Sequence, residues 1–179
     1  YHFTETDIRY TASKKMSFDL LAKLEANLAG AKASQYTNLD FLYFYLGHQA
    51  AQNNQGDRSL YYYNQLTAEK TKALFLNSFN PDFAFQFVAL AIADLTKFNH
   101  PAEADRMVKF FNGKVNRSTL YAYAASELLL QGINDSRTDQ LIDSASAQAA
   151  QTRNLTTVQV NRIHLAYALA IRDRNSDVN

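Results

Sequence analysis

The sequence predicts an all-α fold of antiparallel helix pairs stacked on one another, and three observations carry that reading. Apolar residues recur at the 3.6-residue period through most of the chain beyond Ser17. Glycine and proline are scarce, five and two in 179 residues, and most of them stand where a helix is expected to end or begin. The stretch Leu39 to Leu66, LDFLYFYLGHQAAQNNQGDRSLYYYNQL, reads as one aromatic helix, a polar turn at Gly56 and a second aromatic helix running back. Later segments look like looser versions of that unit.

Taken in order, residues 1–16 show no sustained helical period; Ile8, Tyr10 and Ala12 only alternate, so this leading segment is expected to be extended or disordered. The helical domain is expected over 17–175. Its first helix carries Leu20, Leu21, Leu24 and Leu28, and Gly30 stops it near Lys32. Because the chain opens on Tyr1, it is expected to be either a processed chain or, the favoured reading, a fragment of a longer protein, and in the second case this helix fits the second half of a repeat that starts upstream. In the unit that follows, Tyr43, Leu46, Gly47 and Ala50 share one side of the first helix, and Gly47 admits a close neighbour. Ser59, Tyr63 and Leu66 share a side of the second, with Asp57 as its expected N-cap. Whether that helix continues past Thr67 or breaks before Ala73, Leu74, Phe75 and Leu76 is open at this level.

Asn80-Pro81-Asp82 marks the sharpest boundary, since proline presets φ for the first helical position and the aspartate complements the helix dipole. Phe83, Phe85, Phe87, Val88, Leu90, Ile92 and Leu95 then surround the helix axis, which predicts the most buried helix of the chain. After Asn99-His100-Pro101 comes a stripe of Ala104, Met107, Val108 and Phe111, ended by Asn112-Gly113. A third pair runs from Ser118 through Tyr121, Ala124, Ala125 and Leu128, turns at Gly132 to Asp135, and returns through Leu141, Ile142 and Ala145. Ser136 with Asp139, and Thr156 with Gln159, approximate capping boxes. The last helix, with Val160, Ile163, Tyr167 and Ala170 on one face, lacks a following partner and is either half of a repeat or a terminal cap. About eight helices result.

Leu46-Gly47, then a turn, then a small residue and an aromatic four apart at Ser59 and Tyr63, resembles the tetratricopeptide repeat. The family's closing proline is absent, with Thr71 near its place, and Ala50 stands where a large residue is usual. Spacings between successive pairs also depart from the roughly 34 residues of a strict array. The resemblance implies a right-handed solenoid of degenerate repeats over about 38–175. A compact, irregular helical bundle is the alternative architecture.

Charge and composition exclude several functions. A net charge of +1 with both signs interspersed gives no basis for nucleic acid or an anionic membrane as partner. The most apolar run, Phe83 to Ala93, is interrupted by Gln86 and falls short of the roughly 20 residues a membrane span needs, so no membrane insertion by this segment is expected. Without cysteine there is no disulfide, thiolate nucleophile or thiolate metal site. His2, His48, His100 and His164 are far apart in sequence, and neither metal nor cofactor is expected. Phosphate-loop, dinucleotide and G-x-S-x-G patterns are missing. Asp94, Glu103, Asp105, Glu127, Asp139 and Asp143 are spread over different helices and read as solvated faces and caps. Asn116-Arg117-Ser118, Asn134-Asp135-Ser136 and Asn154-Leu155-Thr156 match the glycosylation sequon, but composition and helix starts account for them.

Binding is the remaining class. Tyr61, Tyr62 and Tyr63 point about 100° apart on a helix, so at least one reaches the surface or another helix. The repeat resemblance implies a concave wall of first helices bearing Phe41, Phe44, His48 and Gln52, then Gln86 and Lys97, then Thr119 and Ser126. Such a wall suits an extended peptide or a partner helix. Against it, Phe41 and Phe44 can simply pack on the first helix, and His48 can lie on a solvated face. The expected function is therefore a non-catalytic protein- or peptide-binding scaffold. The alternative is a regulatory or structural helical segment of a larger enzyme whose catalytic domain lies outside this chain. Compartment and oligomeric state are not legible.

Overall fold

A computed structural model describes residues 26, 39–67, 81–110, 117–150, 164–165, 168–169 and 171–173, and every regular element among them is helical. The chain is all-α there. Six helices are continuous: α1 Leu39–Gln52, α2 Gly56–Asn64, α3 Pro81–Lys97, α4 Pro101–Lys109, α5 Arg117–Leu130 and α6 Ser136–Ala150. Ala26 and the described residues between 164 and 173 are helical as well. The leading segment, the stripe from Leu20 to Leu28, the Ala73–Leu76 stretch and the Val160–Ala170 face lie outside the described residues. No helix among the described residues is long and apolar enough to cross a membrane.

The chain divides into two compact units, Tyr1–Phe79 and Asn80–Asn179. In the first, α1 packs on α2. Leu42, Tyr45, Leu46, Ala50 and Tyr62 form its apolar cluster, with Tyr43 against the edge. Gly47 stands where the two helices meet: a Cβ there would lie 2.8 Å from Cε1 and Cζ of Tyr63, so only glycine fits. Ser59, one turn before Tyr63, is buried too, as a second small residue near that contact. The N-cap of α2 is Gln55 and not Asp57, because the Gln55 N–H already closes the end of α1 and the new helix starts at once. Asp57 sits in the first turn instead, where its charge favours the helix dipole.

In the second unit α3 packs on both α4 and α5, and α5 packs on α6. From Phe87 to Thr96, α3 is buried at every position except Leu90, as its all-round apolar pattern predicts. Long-range bonds between described residues tie the helices. The Ser118 hydroxyl donates 2.6 Å to the Ala145 carbonyl, joining α5 to α6. The Arg137 guanidinium donates to the Lys97 carbonyl, one of the acceptors left open at the C-terminus of α3. The cap of α6 is Asp135, whose carboxylate accepts the Arg137 backbone N–H at 3.0 Å; the expected Ser136 box is displaced by one residue.

The three pairs close by the same turn. After α1, Gln55 N–H reaches the Ala50 carbonyl at 2.9 Å, Asn54 N–H reaches Ala51 at 3.0 Å, and Asn54 has φ 59°. After α3, His100 bonds Leu95 at 2.8 Å and Asn99 bonds Thr96 at 3.0 Å, with Asn99 at φ 62°. After α5, Ile133 bonds Leu128 and Gly132 bonds Leu129, both at 2.9 Å, with Gly132 at φ 76°. These are Schellman closures around one left-handed residue. Counting back from that residue puts Ala50, Leu95 and Leu128 in register, and one turn earlier Leu46, Ala91 and Ala124; all six are buried. Forward from it, α2 and α4 bury a small residue at the fifth position, Ser59 or Ala104, and a large pair at the eighth and ninth, Tyr62-Tyr63 or Met107-Val108; α6 buries Thr138 and Leu141-Ile142 one position later, its turn being one residue longer.

Because asparagine tolerates the left-handed region less well than glycine, Asn99→Gly is expected to raise stability by a few tenths to about 1 kcal/mol. At the matching site Gly132→Ala is expected to lower it by about 1 kcal/mol through backbone strain alone, since a Cβ there meets nothing within 4 Å. Urea midpoints at constant slope check both, and equal signs for the two variants would refute the shared turn.

Candidate functional site

The expected wall residues separate by depth. On α1 the Phe41 side chain lies outside the described residues. Phe44 is 1% exposed and meets the Tyr63 ring edge-on, with centroids 6.1 Å apart. His48 is buried as well, and Gln52 is half-buried. Phe44 and His48 are thus interior side chains, and the packing partner observed for Phe44 is on α2.

In the second unit the four expected residues keep some exposure. Gln86 on α3 is exposed, and Lys97 is half-buried with its ammonium 5.3 Å from the centre of the Phe98 ring. On α5, Thr119 and Ser126 are half-buried, and the Ser126 hydroxyl donates 3.0 Å to the Ala122 carbonyl. Counted back from the left-handed residue of each turn, Gln86 and Thr119 occupy matching positions, as do Lys97 and Leu130. Leu130 was not singled out by its sequence, yet it is 64% exposed. Tyr123 was also missed. It lies four residues after Thr119 and three before Ser126, so helical spacing places it between them.

Several ionisable groups of this unit are engaged in structure. Tyr121 on α5 donates to the Asp105 carboxylate of α4 at 3.2 Å, and burial together with that negative charge pushes its phenol up to about 12. The Arg137 guanidinium holds the Asp135 carboxyl below the ordinary carboxylate value. Partial burial pushes His164 below the ordinary imidazole value. Asp94, read from sequence as a solvated charge, is instead fully buried, because α3 is enclosed on nearly every side. Among the described residues no three His, Cys, Asp or Glu side chains gather as a metal site.

Along α3 and α5 the expected positions thus carry an amide, two hydroxyls and an ammonium, and α5 adds half-buried Tyr123, whose ring meets that of His164 at 4.5 Å, and exposed Leu130. Amides, hydroxyls and ammonium groups belong to the side-chain types able to exchange hydrogen bonds with a peptide backbone. No protein-family model, curated protein or solved structure matches the chain.

Proposed function

We propose that the chain is a non-catalytic scaffold module of degenerate tetratricopeptide-like repeats, which holds a protein or peptide ligand on the first helices of its pairs. The observation that supports this reading is the recurrence in the three pairs of one Schellman turn with the first helices in register, followed by a buried small residue and a buried large pair, in register in the first two pairs and one residue later in the third. The packing of α3 on α5, first helix on first helix, is the neighbour relation that a stack of repeats requires. Stacked repeats bury a continuous core and leave the line of first helices free for a partner. The binding positions are Gln86, Lys97, Thr119 and Ser126, extended by Tyr123 and Leu130.

A Gln86→Ala/Thr119→Ala/Ser126→Ala variant is expected to keep its helical circular dichroism and to lose at least about ninety per cent of the ligand captured by wild type, about 1.4 kcal/mol or more. Gln140→Ala/Asp143→Ala on the exposed side of α6 is the control and should capture as wild type does. Capture that survives the triple variant, or no capture by wild type, overturns the reading.

A further inference from the structure

Arg137, one residue into α6, divides its guanidinium between two acceptors. Nε donates to Asp135 Oδ1 at 3.0 Å and Nη2 donates to Oδ2, the two-point grip of a planar fork on a carboxylate. Nη1 donates to the carbonyl of Lys97 at the end of α3, 40 residues back along the chain. Asp135 also accepts the Arg137 backbone N–H, so the carboxylate that caps α6 is the one that aims the fork. The peptide unit between Lys97 and Phe98 is thereby held at both edges: Arg137 donates to its oxygen, and its N–H donates to the Asp94 carbonyl at 3.3 Å. That unit is a rigid plane carrying the α-carbons of both residues. Its orientation fixes where the two side chains leave the backbone, and they meet, the Lys97 ammonium lying 5.3 Å from the centre of the Phe98 ring.

We infer that Arg137 is the positioning residue for Lys97: reaching across from the third helix pair, it sets the plane on which the Lys97 and Phe98 side chains are presented at the end of α3. The inference rests on the proposed function for what Lys97 does, and on the bonds above for how it is held. A helix leaves its last carbonyls without partners from its own ladder, so its final turn is where an outside donor has most effect. The turn after α3 takes the Leu95 and Thr96 carbonyls for His100 and Asn99, and Arg137 takes the next one. Charge argues for the same arrangement. A second cation brought beside Lys97 would repel its ammonium, and the Asp135 carboxylate offsets that charge where it enters. Lysine could not replace arginine, since an ammonium has no planar fork to grip a carboxylate at two points while a further N–H reaches a carbonyl. The side chains of Asp135 and Arg137 are both more than a third exposed, so their ion pair adds little stability and acts through direction.

Nuclear magnetic resonance of the whole chain reads the hold with no ligand present. The ε-methylene protons of Lys97, lying by the Phe98 ring, are shifted by its ring current. In Arg137→Ala that shift is expected to collapse toward the free-lysine value, and the amides of Phe98, Asn99 and His100 are expected to exchange about tenfold faster, the loss of one bond to a charged donor. Arg137→Lys keeps a cation and should fail in the same way; it decides the matter if Arg137→Ala does not fold. Asp135→Ser keeps a capping hydroxyl without the grip, and should lose most of the Lys97 shift while the first turn of α6 stays protected. Arg106→Ala removes the cation over the Phe110 ring and is the control, leaving both signals as they are. An unmoved Lys97 signal in the Arg137 variants overturns the inference. So does faster exchange that extends equally to the Asn54 and Gln55 amides closing α1, because a general loss of stability then explains it. Capture of a ligand plays no part in these readings, so this inference and the proposed function can fail separately.

Discussion

Tyr63→Ala is expected to destabilise the protein by about 3–5 kcal/mol, the cost of emptying a large aromatic site in a packed core. Tyr63 is fully buried, receives the edge of Phe44 and presses its ring against the backbone of α1 at Gly47. That contact makes a second, more diagnostic expectation. Gly47→Ala alone should cost about 1–2 kcal/mol, because overpacking outweighs the roughly 1 kcal/mol an alanine gains inside a helix. In the Tyr63→Ala background the obstruction is gone, and the same substitution should stabilise. Urea unfolding of the four proteins in the cycle measures the coupling. Additive effects would show that the ring and the glycine do not meet, and with that the helix crossing would be wrongly placed.

The pair itself was legible because its signals are local. A 3.6-residue stripe, a glycine one turn before its end and a polar run of Asn53-Asn54-Gln55-Gly56 suffice to specify helix, close approach and turn. What covers each helix was not legible. An apolar stripe says which side is certainly inside, not how wide the enclosed arc becomes, and α1 buries every position from Leu42 to Ala51 except half-buried Tyr43. Phe44 and His48 fall within that arc, which is why two of the expected wall residues turn out to be interior. Asp94 is enclosed on α3 for the same reason.

Caps shifted toward the N-terminus, by two residues from Asp57 to Gln55 at α2 and by one from Ser136 to Asp135 at α6. Bonds between distant positions, Ser118 to Ala145 and Tyr121 to Asp105, have no sequence signal, since nothing local distinguishes a serine that will find a carbonyl two helices' length away. Tyr123 carries a partial sequence signal. Its spacing from Thr119 and Ser126 is helical, but a lone aromatic at that spacing has the same pattern as a core residue.

Leu128→Ala is expected to cost about 2–5 kcal/mol, and the reason lies in where the residue sits in the repeated turn. Leu128 is fully buried on a helix that packs against α3 and α6, and its carbonyl accepts the N–H of Ile133 that closes the turn. The matching residue of α3 is Leu95 and that of α1 is Ala50, both also buried. Alanine is therefore compatible with the turn itself, and what Leu128→Ala loses is the volume filled between α5 and its neighbours. Leu130→Ala, two residues on and mostly exposed, provides the internal comparison: its effect should stay within about 0.5 kcal/mol, as for surface changes generally. Urea midpoints of the two variants at unchanged slope decide the matter. A Leu128 effect as small as that of Leu130 would mean that the buried side of α5 has been misassigned, and the register that relates the three turns would fall with it.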